Sequence, residues 1–257
     1  MNPQPEDVEF FVGYLPMSAS FKRVVLGIGL GGLLLLLAAG FALASTTHGA
    51  GPAKFAFGKS EGTLGVLTTE PSAVLWTLDP NVAGGVRGTL LVRSGKFGLS
   101  ARARELAGRP VRVSGQSIER DGLRMLELSD EPKPADGELS DAEGARLAGR
   151  ALRSLGEVKL RGEIEDSKCY LGRMRPGDKR THRACAQLCI SGGIPGLFVA
   201  RDGTGAPRHL LLADRQGRSI DQALLPYVAE PIEISGELSQ LGNLFLLRTS
   251  PDGVKRL

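Results

Sequence analysis

The chain has 257 residues, with 32 Lys and Arg against 28 Asp and Glu, 42% hydrophobic residues and three cysteines. These fractions exclude a wholly disordered chain, and a mean hydropathy of −0.04 excludes a polytopic membrane protein. Three cysteines are too few for a disulfide scaffold. Because their number is odd, at least one is free, metal-bound or paired with another chain.

An uncharged apolar run over residues 24–44 predicts a transmembrane helix. At about 1.5 Å per residue, this run crosses a hydrocarbon core of roughly 30 Å. Lys22 and Arg23 stand directly before it. The positive-inside rule therefore predicts a cytoplasmic leader, residues 1–23, and a periplasmic outer part after Ser45. The sequence thus favours a single-pass protein of the bacterial inner membrane, with the lipid bilayer as its first partner.

Two further interpretations concern this segment and the residues after it. The small residues 42–44 also match a cleavage site, which leaves a cleaved signal peptide as the alternative. Gly27 and Gly31 have the GxxxG spacing, which predicts a homodimer through the helix. Residues 45–60 read as a flexible tether. The outer part is mildly basic, which suits anionic lipid or an acidic envelope protein, whereas nucleic acid is not expected outside the membrane.

Residues 61–130 predict a first small barrel, because short β runs alternate with glycine-containing turns. Ser100 is placed to cap a short helix between the third and fourth of these runs. This order of elements predicts an OB-like barrel of five strands, with Trp76 in its interior. The candidate strands are Thr63–Thr68, Ala73–Leu78, Gly88–Val92, Val111–Ile118 and Leu123–Leu128.

The end of this region is repeated near the end of the chain. Arg109–Leu128 matches Glu230–Arg248, with a Pro and a Ser-Gly pair at equal spacing in both. The repeat predicts a tandem duplication, with a second OB-like barrel over residues 157–250. The two hairpin turns are expected to differ by one residue. The fold class is therefore mainly β, with one transmembrane helix followed by two tandem five-stranded barrels.

Residues 131–156 are predicted to be a linker that contains one helix. The helix begins at Ser140, where Ser140 and Glu143 have the spacing of a capping box, and it is expected to end near Gly156.

All three cysteines lie in a segment that lengthens the second barrel relative to the first. Their spacing is Cys169-x12-His182-x2-Cys185-x3-Cys189. The last three of these residues fall on one face of a predicted helix, and Cys169 ends a predicted strand beside it. Four such side chains have the chemistry of a Cys₃His metal site for zinc or copper. Outside the membrane, a disulfide from Cys169 to Cys185 or Cys189 is an alternative, and thiol redox exchange or haem handling is another.

The segment from Gly162 onward resembles a domain found in small secreted bacterial proteins whose function is uncharacterised. The shared pattern is Gly-x-[Ile/Val]-x-Asp-[Ser/Thr]-x-Cys followed by His-x-x-Cys-x-x-x-Cys and a closing hairpin, and here it covers about residues 160–250. The resemblance implies an OB-like fold and a site of Cys169, His182, Cys185 and Cys189 supported by Asp166. It carries no established activity.

A basic cluster accompanies the cysteines and predicts a surface for an acidic partner or anionic lipid. It consists of Arg173, Arg175, Lys179, Arg180 and Arg183. The sequence has no recognisable catalytic triad, nucleophile elbow or zinc-protease motif, which favours a non-enzymatic protein. The function that these observations predict is a binding or assembly module of an envelope complex, of which a respiratory complex is one example. The alternative is a metal-handling, haem-handling or thiol-redox protein that uses the Cys/His cluster.

Overall fold

The computed structural model describes residues 17–46, 53–201, 203 and 208–257. Helix α1, Ala19–Thr46, contains the predicted apolar run and extends it at both ends. An 18-residue stretch within its residues 19–45 has a mean hydropathy of 2.4, and it is the one helix in the described ranges that is long and apolar enough to cross a membrane. Residues 1–16 of the expected leader and 47–52 of the expected tether lie outside the described residues.

The chain from residue 53 on forms one compact unit with two sheets, each closed into a ring of five strands. Barrel 1 contains β1 (Lys54–Thr68), β2 (Val74–Leu78), β3 (Val86–Arg93), β4 (Pro110–Arg120), β5 (Leu123–Leu128) and the short β6 (Lys133–Pro134). Barrel 2 contains β7 (Leu152–Asp166), β8 (Gly196–Ala200), β9 (His209–Ala213), β10 (Ile232–Leu241), β11 (Leu244–Arg248) and β12 (Val254–Arg256). The mainly β fold with two barrels after an N-terminal apolar helix is thus confirmed.

The two barrels have the same topology, strand for strand. The order β1-β2-β3-β5-β4 closes by pairing β4 with β1, and the order β7-β8-β9-β11-β10 closes by pairing β10 with β7. The third and fifth strands are parallel in both rings, and every other neighbouring pair is antiparallel. This is the five-stranded arrangement that the sequence order predicts for an OB-like barrel.

Four α-helices accompany the strands in the described residues after position 52. They are α2 (Ala101–Arg104), α3 (Asp141–Ala148), α4 (Lys179–Ser191) and α5 (Asp221–Leu224). Ser100 caps α2, and Ser140 and Glu143 form the predicted capping box of α3. The prediction that α3 ends near Gly156 is wrong, because Gly149 caps it and β7 begins at Leu152 to pair with β10. Likewise, β1 begins inside the expected tether, where Lys54 and Phe55 pair with the end of β4.

Two details of barrel 1 correct the sequence predictions. Trp76 is buried, but it lies between barrels, because its indole faces Gly242 of barrel 2 and the Arg150 guanidinium, while the neighbouring Leu75 packs in the core of barrel 1. The hairpin turns do not differ in length. Arg120 pairs with Leu123, and Leu241 pairs with Leu244, so each turn has two residues. The glycine merely stands second in one turn and first in the other.

The barrels contact each other through these same hairpins. The barrel 2 turn reaches β3 of barrel 1, where the Gly88 amide donates to Asn243 Oδ1 at 2.6 Å. The barrel 1 turn reaches β9 of barrel 2, where Asp121 Oδ2 lies 4.0 Å from His209 Nε2. Each barrel therefore covers, with its closing hairpin, part of the third strand of its neighbour.

Candidate functional site

The segment between β7 and β8 carries the candidate site, whereas in barrel 1 only a short turn joins the corresponding strands β1 and β2. It begins with a wide helical turn, Cys169–Arg173, and continues through α4. Asp166, the last residue of β7, fixes the start of the turn by accepting a hydrogen bond from the Cys169 amide at 2.8 Å. Gly192 ends α4 and returns the chain towards β8.

The three sulfur atoms converge as the sequence predicts. The Sγ atoms of Cys169, Cys185 and Cys189 lie within 4.8 Å of one another, and all three cysteines are free thiols. Cys185 and Cys189 are one turn apart on α4, so both face the turn that carries Cys169. Cys169 and Cys189 are buried, whereas Cys185 is partly exposed. This cysteine triad therefore has one side that solvent reaches.

His182 and Asp166 form a buried pair next to the cysteine triad. His182 Nε2 lies 2.8 Å from Asp166 Oδ2. Ligand atoms of these two residues and of Cys169 all lie within 4.8 Å of one another. The carboxylate hydrogen bond raises the pKa of His182, although burial opposes the shift. Since Asp166 engages one ring nitrogen of His182 and the amide of Cys169, this pair joins α4 to the end of β7.

Lys96, which sequence reasoning missed, supplies a cation to the cysteine triad from barrel 1. Its Nζ donates to Cys185 Sγ at 2.8 Å and lies 3.5 Å from Cys189 Sγ. The hydrogen bond to Cys185 raises the pKa of Lys96, so its ammonium form is favoured. A single lysine in a glycine-containing loop, far from the cysteines in sequence, gives no signal by which this contact is predictable.

The thiols also interact with each other. A hydrogen bond from the Cys169 thiol, helped by the Lys96 ammonium, lowers the pKa of Cys189 to about 7 against the effect of burial. The same hydrogen bond, together with burial and the nearby Asp166 carboxylate, raises the pKa of Cys169. The cysteine triad thus contains one thiol that deprotonates easily and one that keeps its proton.

A buried ion pair holds the Lys96 loop against the cysteine segment. Lys168 Nζ lies 3.0 Å from Glu127 Oε2 and donates to the carbonyls of Arg93 and Gly95 at 2.8 Å each. Only 3% of the Lys168 side chain and 8% of the Glu127 side chain are exposed. Because Lys168 precedes Cys169 and Gly95 precedes Lys96, this contact positions the sulfur and the ammonium together.

The predicted basic surface is largely paired with carboxylates of the same chain. Arg173 contacts Glu127 at 3.0 Å, and Arg180 and Arg183 both contact Glu230. The remaining two residues, Arg175 and Lys179, are exposed. The five side chains therefore do not form one unpaired cationic patch.

Comparison of the chain with protein-family models, with curated proteins and with solved structures gives no match.

Proposed function

We propose that the cysteine triad binds one thiophilic metal ion, zinc or copper(I), in a membrane-anchored protein with two barrels. The observation that carries the proposal is the convergence of three sulfur atoms within 4.8 Å. A tetrahedral zinc site with Zn–S bonds of about 2.3 Å separates its sulfurs by about 3.8 Å. The sulfurs therefore need to move by only about 1 Å to share one ion. Thiolates favour zinc and copper(I) over harder cations.

The charges around the triad support the same assignment. Three thiolates with Zn²⁺ carry one net negative charge, and the Lys96 ammonium at 2.8 Å from Cys185 balances it. A partly buried complex of this kind is favoured by such a counter-charge. The partly exposed Cys185 supplies a route by which the ion reaches the site.

His182 and Asp166 have a supporting role in this proposal. The expected Cys₃His set uses His182 as the fourth ligand, but its Nε2 already contacts Asp166. We therefore assign the three sulfurs as protein ligands, with His182 and Asp166 holding α4 and the Cys169 turn in place. Groups behind the ligands commonly tune metal affinity in this way.

The wider setting remains a proposal that rests on helix α1 and its flanks. Lys22 and Arg23 before the apolar run favour a bacterial inner-membrane anchor with the barrels in the periplasm. There the barrel pair would act as a non-enzymatic binding module for an envelope protein, and Gly27 and Gly31 would support a homodimer. Protease digestion of spheroplasts tests this topology. The barrels should be degraded without lysis, and protection until lysis would contradict it.

Metal analysis of the full chain tests the proposed function. The detergent-purified protein is measured for bound zinc and copper and for thiols after denaturation. It is then titrated separately with zinc and with copper(I) against a competing chelator. We expect one ion per chain and three reactive thiols. The ion that the protein takes from the stronger competing chelator is identified as the ion that the cysteine triad binds.

Variants of α4 provide the matched comparison. Cys185→Ser should abolish stoichiometric binding, because two sulfurs remain. Leu188→Ser, which introduces the same side chain on the same helix at a position that is 61% exposed, should retain it. One reactive thiol without metal would instead establish a disulfide, and three thiols that bind neither ion would refute the metal site.

A further inference from the structure

A cavity of about 490 Å³ lies between the barrels, and none of the residues of the cysteine triad lines it. Its walls are the β2–β3 connection of barrel 1, the chain between α3 and β7, and the β10–β11 hairpin. Arg146, Arg150 and Arg153 line it, and its lining residues include no Asp or Glu. We call this cavity the arginine pocket. All of the charged side chains that line the arginine pocket are cationic.

Arg150 is the fixed member of the three. Its guanidinium carbon lies 4.6 Å from the centre of the buried Trp76 ring, and its NH1 donates to the Leu147 carbonyl. Its Nε is buried and has no hydrogen-bond partner in the described ranges. The Trp76 ring and the Leu147 carbonyl therefore hold this cation in place at the cavity wall.

The other two arginines are exposed at the rim. Arg153 NH2 donates to Gln240 Oε1 at 2.7 Å, and Gln240 Nε2 donates to the Gly242 carbonyl at 3.1 Å, which orients the Arg153 side chain. Many other arginines of this chain pair with carboxylates, as Arg173 does with Glu127. Among the described residues, by contrast, none of the three in the pocket takes part in an ion pair.

We propose that the arginine pocket binds a phosphate group that carries an organic substituent. Planar guanidinium groups bind phosphate oxygens through paired hydrogen bonds, and three of them suit a ligand with one or two negative charges. The volume exceeds what an inorganic anion fills, so part of the substituent also lies in the cavity. A soluble phosphate ester and a phospholipid headgroup share this chemistry.

Calorimetric titration of the full chain in a neutral detergent tests the proposal. Its arms are inorganic phosphate, glycerol 3-phosphate and a short-chain phosphatidylglycerol below its micelle concentration. We expect the esters to bind at least about tenfold more tightly than inorganic phosphate. Tighter binding of the lipid than of glycerol 3-phosphate identifies a headgroup, and equal or weaker binding identifies a soluble ester.

Two variants and one control make the result decisive. Arg150→Gln, and independently the rim pair Arg146→Gln with Arg153→Gln, should each weaken ester binding by about tenfold or more. The rim pair keeps the test valid if loss of the Trp76 contact perturbs folding. Arg102→Gln with Arg104→Gln, exposed on α2, removes the same charge as the rim pair and should change affinity less than twofold. No binding of any probe at millimolar concentration, or equal weakening in the control, would overturn the proposal.

Discussion

Barrels 1 and 2 share one topology, yet only barrel 2 carries cysteines. Five strands close in the same order in both, and a short strand is added to the fourth strand of each. Where a short turn joins β1 to β2, the wide turn and α4 join β7 to β8. The cysteines thus lie in one connection of a scaffold whose strand order occurs twice in the chain.

Barrel 1 is nevertheless part of the site. It contributes Lys96, whose Nζ lies 2.8 Å from Cys185 Sγ, and Glu127, which pairs with the buried Lys168. The barrel without cysteines therefore provides the counter-charge for the barrel that has them. The comparison teaches that one barrel carries the cysteine triad while the other positions a cation against it.

Breaking the buried pair between the barrels should have the largest effect. Lys168→Met leaves Glu127 buried with only Arg173 as a counter-charge and removes donors from the Arg93 and Gly95 carbonyls. We expect a loss of about 3–5 kcal/mol in the free energy of unfolding. Chemical denaturation followed by the fluorescence of Trp76, the single tryptophan, measures it.

Lys159→Met is the control for this change. Lys159 also pairs with a glutamate, Glu233, but 65% of its side chain is exposed. We expect a loss below about 1 kcal/mol. Equal losses in the two variants would mean that the barrels do not depend on the buried pair.

The third strands of the two barrels, β3 and β9, differ at one position where β9 has a titratable residue. His209 in β9 occupies the place of Gly88 in β3, and burial lowers its pKa to about 4. It faces Asp121 at 4.0 Å and the Tyr170 hydroxyl at 3.3 Å, with the charges of Arg120 and Arg208 nearby. The folded state therefore holds His209 neutral where the unfolded chain protonates it.

The sign of the pH effect follows from this difference. Between about pH 6.5 and 4 the unfolded chain binds the extra proton, so this contribution to stability is present above pH 6.5 and is lost as pH falls towards 4. From pH 7 to pH 5 the loss is about 2 kcal/mol. His209→Gln should abolish this loss. The free energies of unfolding at pH 7 and pH 5 should therefore differ by about 2 kcal/mol less in the variant than in the parent. A parent and a variant with the same pH dependence would contradict this expectation.

A glycine at the same place in both fourth strands tests whether the common topology imposes the same constraint twice. A Cβ at Gly115 would lie 2.5 Å from the Glu127 carbonyl oxygen, and one at Gly236 would lie 2.1 Å from that of Arg248. Alanine at either position should cost about 1–3 kcal/mol. Gly62→Ala, in β1 with no atom within 4 Å of the new Cβ, is the control and should not destabilise. A loss at only one of the two glycines would show that the fourth strands are not equivalent.

Local patterns made much of this fold predictable. The alternation of residues in β4 and β10, the capping box at Ser140 and the helical spacing of Cys185 and Cys189 each depend on near neighbours in sequence. The convergence of Cys169 with α4 was also predicted, from the ligand-type side chains that one segment holds at Cys169-x12-His182-x2-Cys185-x3-Cys189.

Contacts between the barrels were not predictable. The pairing of Lys96 with Cys185 and the outward position of Trp76 depend on how two barrels dock, and no local pattern encodes that. The ion pairs of Arg173, Arg180 and Arg183 were not predictable either, because their partners Glu127 and Glu230 are distant in sequence. The pairing of the start of β1 with the end of β4 was also not predictable, and it places the start of β1 inside the expected tether.

The smallest expected effect is on the free energy of unfolding, and it distinguishes the contact made by the barrel 2 hairpin from the contact made by the barrel 1 hairpin. Asn243→Ala removes the acceptor of the Gly88 amide, which lies 2.6 Å away, and leaves that donor without its partner. We expect a loss of about 1–2 kcal/mol. Asp121→Asn, at the matching turn of barrel 1, removes the charge behind contacts of 3.8 and 4.0 Å, keeps a residue type that suits the positive φ of 49° at this position, and should cost less than about 1 kcal/mol. Unfolding curves of the two single variants and of the double variant measure both losses of stability.

Because the two turns contact different strands, their losses should add in the double variant. A clear departure from additivity would mean that the hairpins dock as one cooperative unit.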